Sequence, residues 1–211
     1  NGAGAWNGGR NCSGRFLSGT RKLADYIKAN FSGARSYGGY SCRRNTASTN
    51  NMSVHGTGRA IDIFVPLDRG EADNDLGDPI ANWLIENAQQ IGVQFIVWDR
   101  TSWGASRSGN KFRPYTGPHP HHDHLHVELT IDAANQGTPW FSGGNVTPPG
   151  QTSCWSRTLN QNVPAGECVQ MPYEACGGST CQWAKCTDQG AWSCVEVAAC
   201  TDEKHGASTC A

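Results

Sequence analysis

The chain has almost no charge imbalance and no long apolar run. Lys and Arg number 17 against 18 Asp and Glu, a formal net charge of −1. That balance gives no general reason to expect the concentrated basic face that phosphate recognition usually needs, and nucleic acid is not an expected partner. No stretch stays apolar for the roughly 20 residues a membrane-crossing helix needs, so no membrane span is expected. Cysteine is sparse early: Cys12 and Cys42 fall in the first 150 residues and the other eight follow. None of them forms a Cys-x-x-Cys pair, which argues against a cysteine-rich zinc module and for disulfides made in an oxidising compartment. Even numbers on both sides suggest a Cys12–Cys42 bridge in the first part and a stapled tail in the second. Eight cysteines allow 105 pairings, and none is assigned within the tail. With a start at Asn1-Gly2-Ala3-Gly4, the chain reads as a secreted, extracellular product from which a signal peptide has been removed.

What is present divides into three parts. Residues 1–141 hold alternating helical and extended patterns, 142–150 form a Gly/Pro-rich linker, and 151–211 are a cysteine-rich accessory domain whose bridges offset a limited apolar core. Apolar and charged residues over 20–29 predict an amphipathic helix, and a second is expected over 79–88 with Asp78 as N-cap and Pro79 in the first turn. Leu23, Ile27, Leu84 and Ile85 are assigned to the core. The segment Asp73–Asp78 lacks calcium-loop spacing and is read as a turn and helix cap. Strands are expected over 60–65, 93–98 and 125–129, which gives an α+β domain.

The chemistry concentrates in two segments, Ser53-Val54-His55-Gly56-Thr57-Gly58-Arg59-Ala60-Ile61-Asp62 and His121-His122-Asp123-His124-Leu125-His126. His55, Asp62 and His126 offer two imidazoles and a carboxylate, a donor set suited to Zn²⁺ that leaves a fourth position for water. Asp123, three residues before His126, is the favoured base, with His124 as the rival base or an orienting group. One zinc cannot use every histidine of the run, so His121 is expected to support the ligands rather than join them.

These segments resemble the LAS group of zinc metallopeptidases, including the peptidase M15 family of D-alanyl-D-alanine carboxypeptidases and endopeptidases. The stretch from Ser53 to Asp62 follows that group's Ser-x-His-x-x-Gly-x-Ala-x-Asp pattern, and His124-Leu125-His126 follows its His-x-His motif. The resemblance covers about residues 20 to 140. It implies a small antiparallel sheet flanked by helices, zinc ligation by His55, Asp62 and His126, and catalytic roles for Asp123 and His124. It also implies substrate contacts from Ser53, from Arg43 in Gly39–Arg43, and from Arg100 and Trp103 in Trp98–Trp103; Trp98 itself, at the end of an apolar strand, is assigned to the core.

The expected function is hydrolysis of peptide bonds in bacterial peptidoglycan by metal-activated water, with the tail touching the cell wall through Trp155, Tyr173, Trp183 or Trp192. Two alternatives stand beside it: an extracellular protease acting on ordinary proteins, and an inactive cell-wall-binding protein. The bond cleaved and the oligomeric state are not legible in the sequence.

Overall fold

The computed structural model describes residues 5–46, 50–117, 119–144, 146, 153–156, 161–166, 168–170, 183–187 and 192–195. It divides into two compact units, Asn1–Val146 and Thr147–Ala211. The Gly/Pro-rich stretch 142–150 runs across that division, and its residues 145 and 147–150 lie outside those described.

The first unit is a mixed α/β structure. In chain order it contains α1 (Ser18–Asn30), β1 (Ser36–Gly38), β2 (Ala60–Phe64), β3 (Leu67–Asp68), β4 (Glu71–Ala72), α2 (Asn74–Glu86), α3 (Ala88–Ile91), β5 (Val93–Trp98), β6 (Thr101–Gly104), β7 (Phe112–Pro114), β8 (His124–Leu129) and α4 (Ile131–Ala134), closed by a 3₁₀ turn at Pro139–Ser142. Six strands form one antiparallel sheet in the order β1-β2-β8-β5-β6-β7. The three strands expected from sequence are its contiguous centre, β2-β8-β5.

Period-two alternation separates the two faces of this centre. Ile61, Ile63, Ile96, Leu125, Val127 and Leu129 are buried on one face, where they join Leu23 and Ile27 of α1 and Ile80 and Leu84 of α2 in a single core. Trp98 belongs to the same core, and Ile85 packs against it half-buried. The intervening residues of β2 and β8, among them Asp62, His124, His126 and Glu128, occupy the other face. A β-bulge between Val93 and Phe95 shifts the pairing of β5 on β8. Gln94 and Phe95, consecutive in sequence, thus both line the polar side.

Two expectations need correction. Helix α2 starts at Asn74, with the Asp73 side chain accepting from the Leu76 amide at 3.2 Å. Pro79 therefore lies inside the helix rather than opening it. The earlier cap wins because it brings the half-buried Leu76 onto the core. Asp78 is not a cap; it accepts from the Trp98 indole at 2.9 Å. The segment Trp98–Trp103 is a hairpin whose turn residues, Asp99 and Arg100, both have positive φ (39° and 58°). The reversal pairs Trp103 with Ile96, so Trp103 follows Ile96 into the core, where it is 4% exposed.

In the second unit, β9 (Ser153–Ser156) and β10 (Gln161–Pro164) form one antiparallel pair, and β11 (Cys168–Gln170), β12 (Trp183–Cys186) and β13 (Trp192–Val195) form a three-stranded antiparallel sheet. Val163, Ala184 and Cys186 are buried there. Tyr173 and the side chains of Trp155, Trp183 and Trp192 lie outside the described residues. No helix among the described residues is long and apolar enough to cross a membrane.

Gly77 brings α2 into close approach with Trp98. A Cβ there would stand 2.1 Å from Cζ2 of Trp98, so Gly77→Ala must push the indole off the helix. The expected loss of stability is about 1–3 kcal/mol, the usual cost of overpacking. Thermal unfolding of Gly77→Ala against wild type measures it, and an unchanged midpoint would contradict this packing.

Candidate metal centre

The antiparallel register of β2 on β8 sets Asp62 opposite His126. His55 reaches the same spot from the tight coil before β2. There the Ser53 carbonyl accepts from the Gly56 and Thr57 amides at 2.8 and 3.3 Å, the Thr57 hydroxyl donates to the Val54 carbonyl at 2.8 Å, and the Gly58 amide donates to the His55 carbonyl at 3.1 Å. Asp62 Oδ1 lies 3.4 Å from His55 Nε2 and 3.2 Å from His126 Nδ1. One donor atom from each residue lies within 4.8 Å of the others. Two imidazole nitrogens and a carboxylate at that spacing fit a divalent cation such as Zn²⁺.

The charges around the trio also fit a cation. Glu128, two residues beyond His126 on the same strand face, sets Oε1 3.1 Å from His126 Nε2. Burial pulls the His126 imidazole toward neutrality, but hydrogen bonds to Asp62 and Glu128 outweigh it and raise its pKa to about 9. Burial works against ionised Asp62 and Glu128 too, yet their bonds to His126 hold both below the ordinary carboxylate range. The site thus stabilises positive charge between two carboxylates. Burial and the neighbouring His126 push His55 down to about 4, leaving it the neutral donor that ligation requires.

His124 stands beside this trio, its Nε2 3.9 Å from Asp62 Oδ1 and its Nδ1 2.8 Å from Asp123 Oδ1. Asp123 is largely exposed and does not line the cleft. The geometry therefore reverses the expected order: His124 faces the site, and Asp123 stands behind it. Burial favours protonation of Asp123, but the His124 contact outweighs it and lowers its pKa, so an ionised carboxylate accepts the His124 Nδ1 proton. His121 packs its ring 4.7 Å from His124 and 6.0 Å from His126, with Nδ1 2.6 Å from the His119 carbonyl oxygen. Burial, then repulsion by His124 and His126, lowers it to about 4. It adjoins the ligands without joining the trio.

The trio opens into a cleft of about 970 Å³. Of the residues expected to contact substrate, Arg43 and Ser53 line it, and Arg100 and Trp103 do not. Arg100, at the hairpin tip, sets its guanidinium 3.4 Å from Glu71. Sequence reading overlooked Trp6, Gln94, Phe95, Arg107, Tyr115 and Glu128, all of which line the cleft. Of these only Glu128 carried a readable signal, because it continues the alternation of His124 and His126. The expected Cys12–Cys42 disulfide is present. It ties the segment before α1 to the loop bearing Arg43, and amides of that segment, Ser13 and Leu17, donate to the carbonyls of Gly56 and Gly58 at 2.9 and 3.0 Å.

Residues 12–126 match the family model of the VldE C-terminal domain. The match spans more than half of the chain, which therefore belongs to the VldE C-terminal domain family. No curated protein and no solved structure matches it. The matched span contains His55, Asp62, His124 and His126, and ends before Glu128.

Gly39 supplies a test of the trio as a cation site. It has φ +100°, and a Cβ there would stand 2.5 Å from Asp62 Oδ2 and 2.9 Å from His55 Cε1. Gly39→Ala is expected to displace two of the three donors and weaken zinc binding at least tenfold. Chelator competition on the folded variant reads this, with His126→Ala as the reference for a lost ligand; wild-type affinity in Gly39→Ala would count against the assigned trio.

Proposed function

We propose that this chain is a secreted zinc-dependent peptidase of the LAS group, similar to peptidase M15, that hydrolyses peptide bonds in bacterial peptidoglycan. The observation that carries this reading is the His55, Asp62 and His126 donor set within a large cleft, with the His124–Asp123 pair beside it. His55 Nε2, Asp62 and His126 Nδ1 would hold the metal. Zinc supplies a Lewis acid that acidifies water and polarises a carbonyl.

The remaining work falls to this chain's own groups. Asp123 accepts the Nδ1 proton of His124 and so keeps its Nε2 free to accept a proton. His124 takes a proton from water as the oxygen joins the carbonyl carbon, then returns it to the nitrogen as the amide C–N bond breaks. His124 is thus the proton carrier in this reading, and Asp123 positions it. Arg43, exposed on the cleft wall, has the forked donor geometry to hold a substrate carboxylate or carbonyl. Ser53 adjoins it, its amide donating to the Arg43 carbonyl at 2.9 Å.

The Cys12–Cys42 bridge supports an extracellular setting, where such bonds persist. Peptidoglycan is the substrate that joins an extracellular location to the LAS resemblance. A cysteine-rich domain contacting the wall would keep the cleft close to its polymer.

Zinc-loaded protein is expected to release defined peptide fragments from intact peptidoglycan, identified by mass spectrometry. His124→Ala should lower the rate by about 10²–10⁴-fold, the usual worth of a positioned acid–base group, and retain zinc. Asp123→Asn should cost less. Intact wall after incubation with folded, zinc-bound enzyme would refute the wall substrate and leave ordinary peptides, or wall binding without cleavage.

A further inference from the structure

Glu128 is a buried carboxylate that orients the metal-binding trio, and its own orientation comes from an unexpected place. Its Oε1 lies 3.1 Å from His126 Nε2, while Oε2 accepts from the Trp6 indole at 2.6 Å and from the Gln94 amide at 3.2 Å. The two oxygens are rigidly related, so whatever fixes Oε2 fixes the direction of Oε1. That direction sets the His126 ring and aims Nδ1 at Asp62.

Trp6 is the more decisive of the two Oε2 donors. An indole N–H can only donate, whereas a glutamine amide can turn over and present its oxygen. Gln94 is itself held by the segment that carries Trp6: its Oε1 accepts from the Asn7 amide at 3.3 Å, and its Nε2 donates to the Asn7 carbonyl at 3.1 Å. Arg59, 2% exposed, pins the same carbonyl at 2.6 Å and the Leu129 carbonyl, at the end of β8, at 2.8 Å. Burial in the main core does not account for Trp6, which is 42% exposed and outside that cluster. Trp6 and Glu128 also both fall outside the span that matches the family model, so the matched segment does not supply this connection.

We propose that Trp6 is a positioning residue of the metal centre: through Glu128 it holds His126 in ligating orientation, so the segment before α1 completes the site from the far end of the sequence. This rests on the reading of His55, Asp62 and His126 as zinc ligands. Trp6 acts on affinity for the ion, without touching it, by removing the freedom His126 would otherwise lose on binding.

The test uses the full chain and zinc alone. Zinc affinity is measured by competition with a chromophoric chelator, the cobalt-substituted visible spectrum reports coordination, and thermal unfolding of the metal-free protein controls for fold. Trp6→Phe keeps an aromatic ring and removes the N–H; it is expected to weaken zinc binding about tenfold, the lower end for loss of an outer partner of a ligand, to shift the cobalt bands, and to leave the metal-free protein folded with a modestly lowered unfolding midpoint, because Gln94 and His126 still meet the Glu128 charge. Glu128→Gln should weaken binding at least as much. Adding Trp6→Phe to Glu128→Gln should then cost little more, because both changes break one chain of contacts. Wild-type zinc affinity and cobalt bands in Trp6→Phe overturn the proposal, as does an equal loss from Trp6→Phe with and without Glu128. Should Glu128→Gln fail to fold, Trp6→Phe alone still decides. Wild-type protein that binds no zinc overturns the ligand assignment and this proposal together, whereas wild type that binds zinc no better than Trp6→Phe overturns only this one.

Discussion

The register of β2 against β8 sets Asp62 opposite His126, and the centre is built around that pair. Slipping the pairing by one residue would send both side chains to the opposite face. The register is held because that face is already taken: Ile61, Ile63, Leu125 and Val127 are buried there against α1 and α2. Burial of one face thus specifies the chemistry of the other. Fully burying a single such aliphatic side chain is worth about 1.5–3 kcal/mol, so a slip that exposes four of them costs about 6–12 kcal/mol, comparable to the usual 5–15 kcal/mol stability of a domain.

The polar face is costly on its own terms. A buried carboxylate such as Glu128 is tolerated only when its charge is met by donors, and here three converge on it from Trp6, Gln94 and His126. Each comes from a different part of the chain: the segment before α1, the bulge of β5, and β8. The disulfide from Cys12 and the backbone bonds from Ser13 and Leu17 fasten that first segment to the loops bearing Arg43 and His55. The segment that helps satisfy the buried charge is therefore also tied to the loops bearing Arg43 and His55.

Much of this was legible in the sequence because it depends on local pattern. Alternation over 60–65 and 125–129 put Asp62 and His126 on strands, and the apolar spacing around Leu23 and Ile27 marked α1. What escaped depended on partners distant in sequence or on turn conformation. Trp6 meets Glu128 across 122 positions, and nothing near Trp6 announces that contact. The start of α2 was misread because Asp73 and Asp78 are both acceptable caps, and the choice was made by packing of Leu76. Trp103 was assigned to the cleft on the resemblance alone, and the strand expected over 93–98 gave no sign of the reversal that follows it. The positive φ of Asp99 and Arg100 folds Trp103 back beside Ile96 instead, and Arg100 stands where a glycine usually marks such a turn.

The placement of Asp123 behind His124 has the same geometric origin. A spacing of three residues brings side chains together on a helix, where i and i+3 share a face. On a strand the same spacing sends them to opposite faces, and His126 lies on a strand. Asp123 sits just before β8, its carbonyl accepting from the Val65 amide at 2.9 Å, so its carboxylate meets the neighbouring imidazole of His124 rather than the trio. His124, an even step from His126, shares its face and sets Nε2 3.9 Å from Asp62. A carboxylate backing an imidazole also suits proton transfer better than an isolated exposed carboxylate, because it fixes the tautomer that presents a free nitrogen to the cleft. The pleat of β8 thus determines which of the two side chains faces the trio and which stands behind its neighbour.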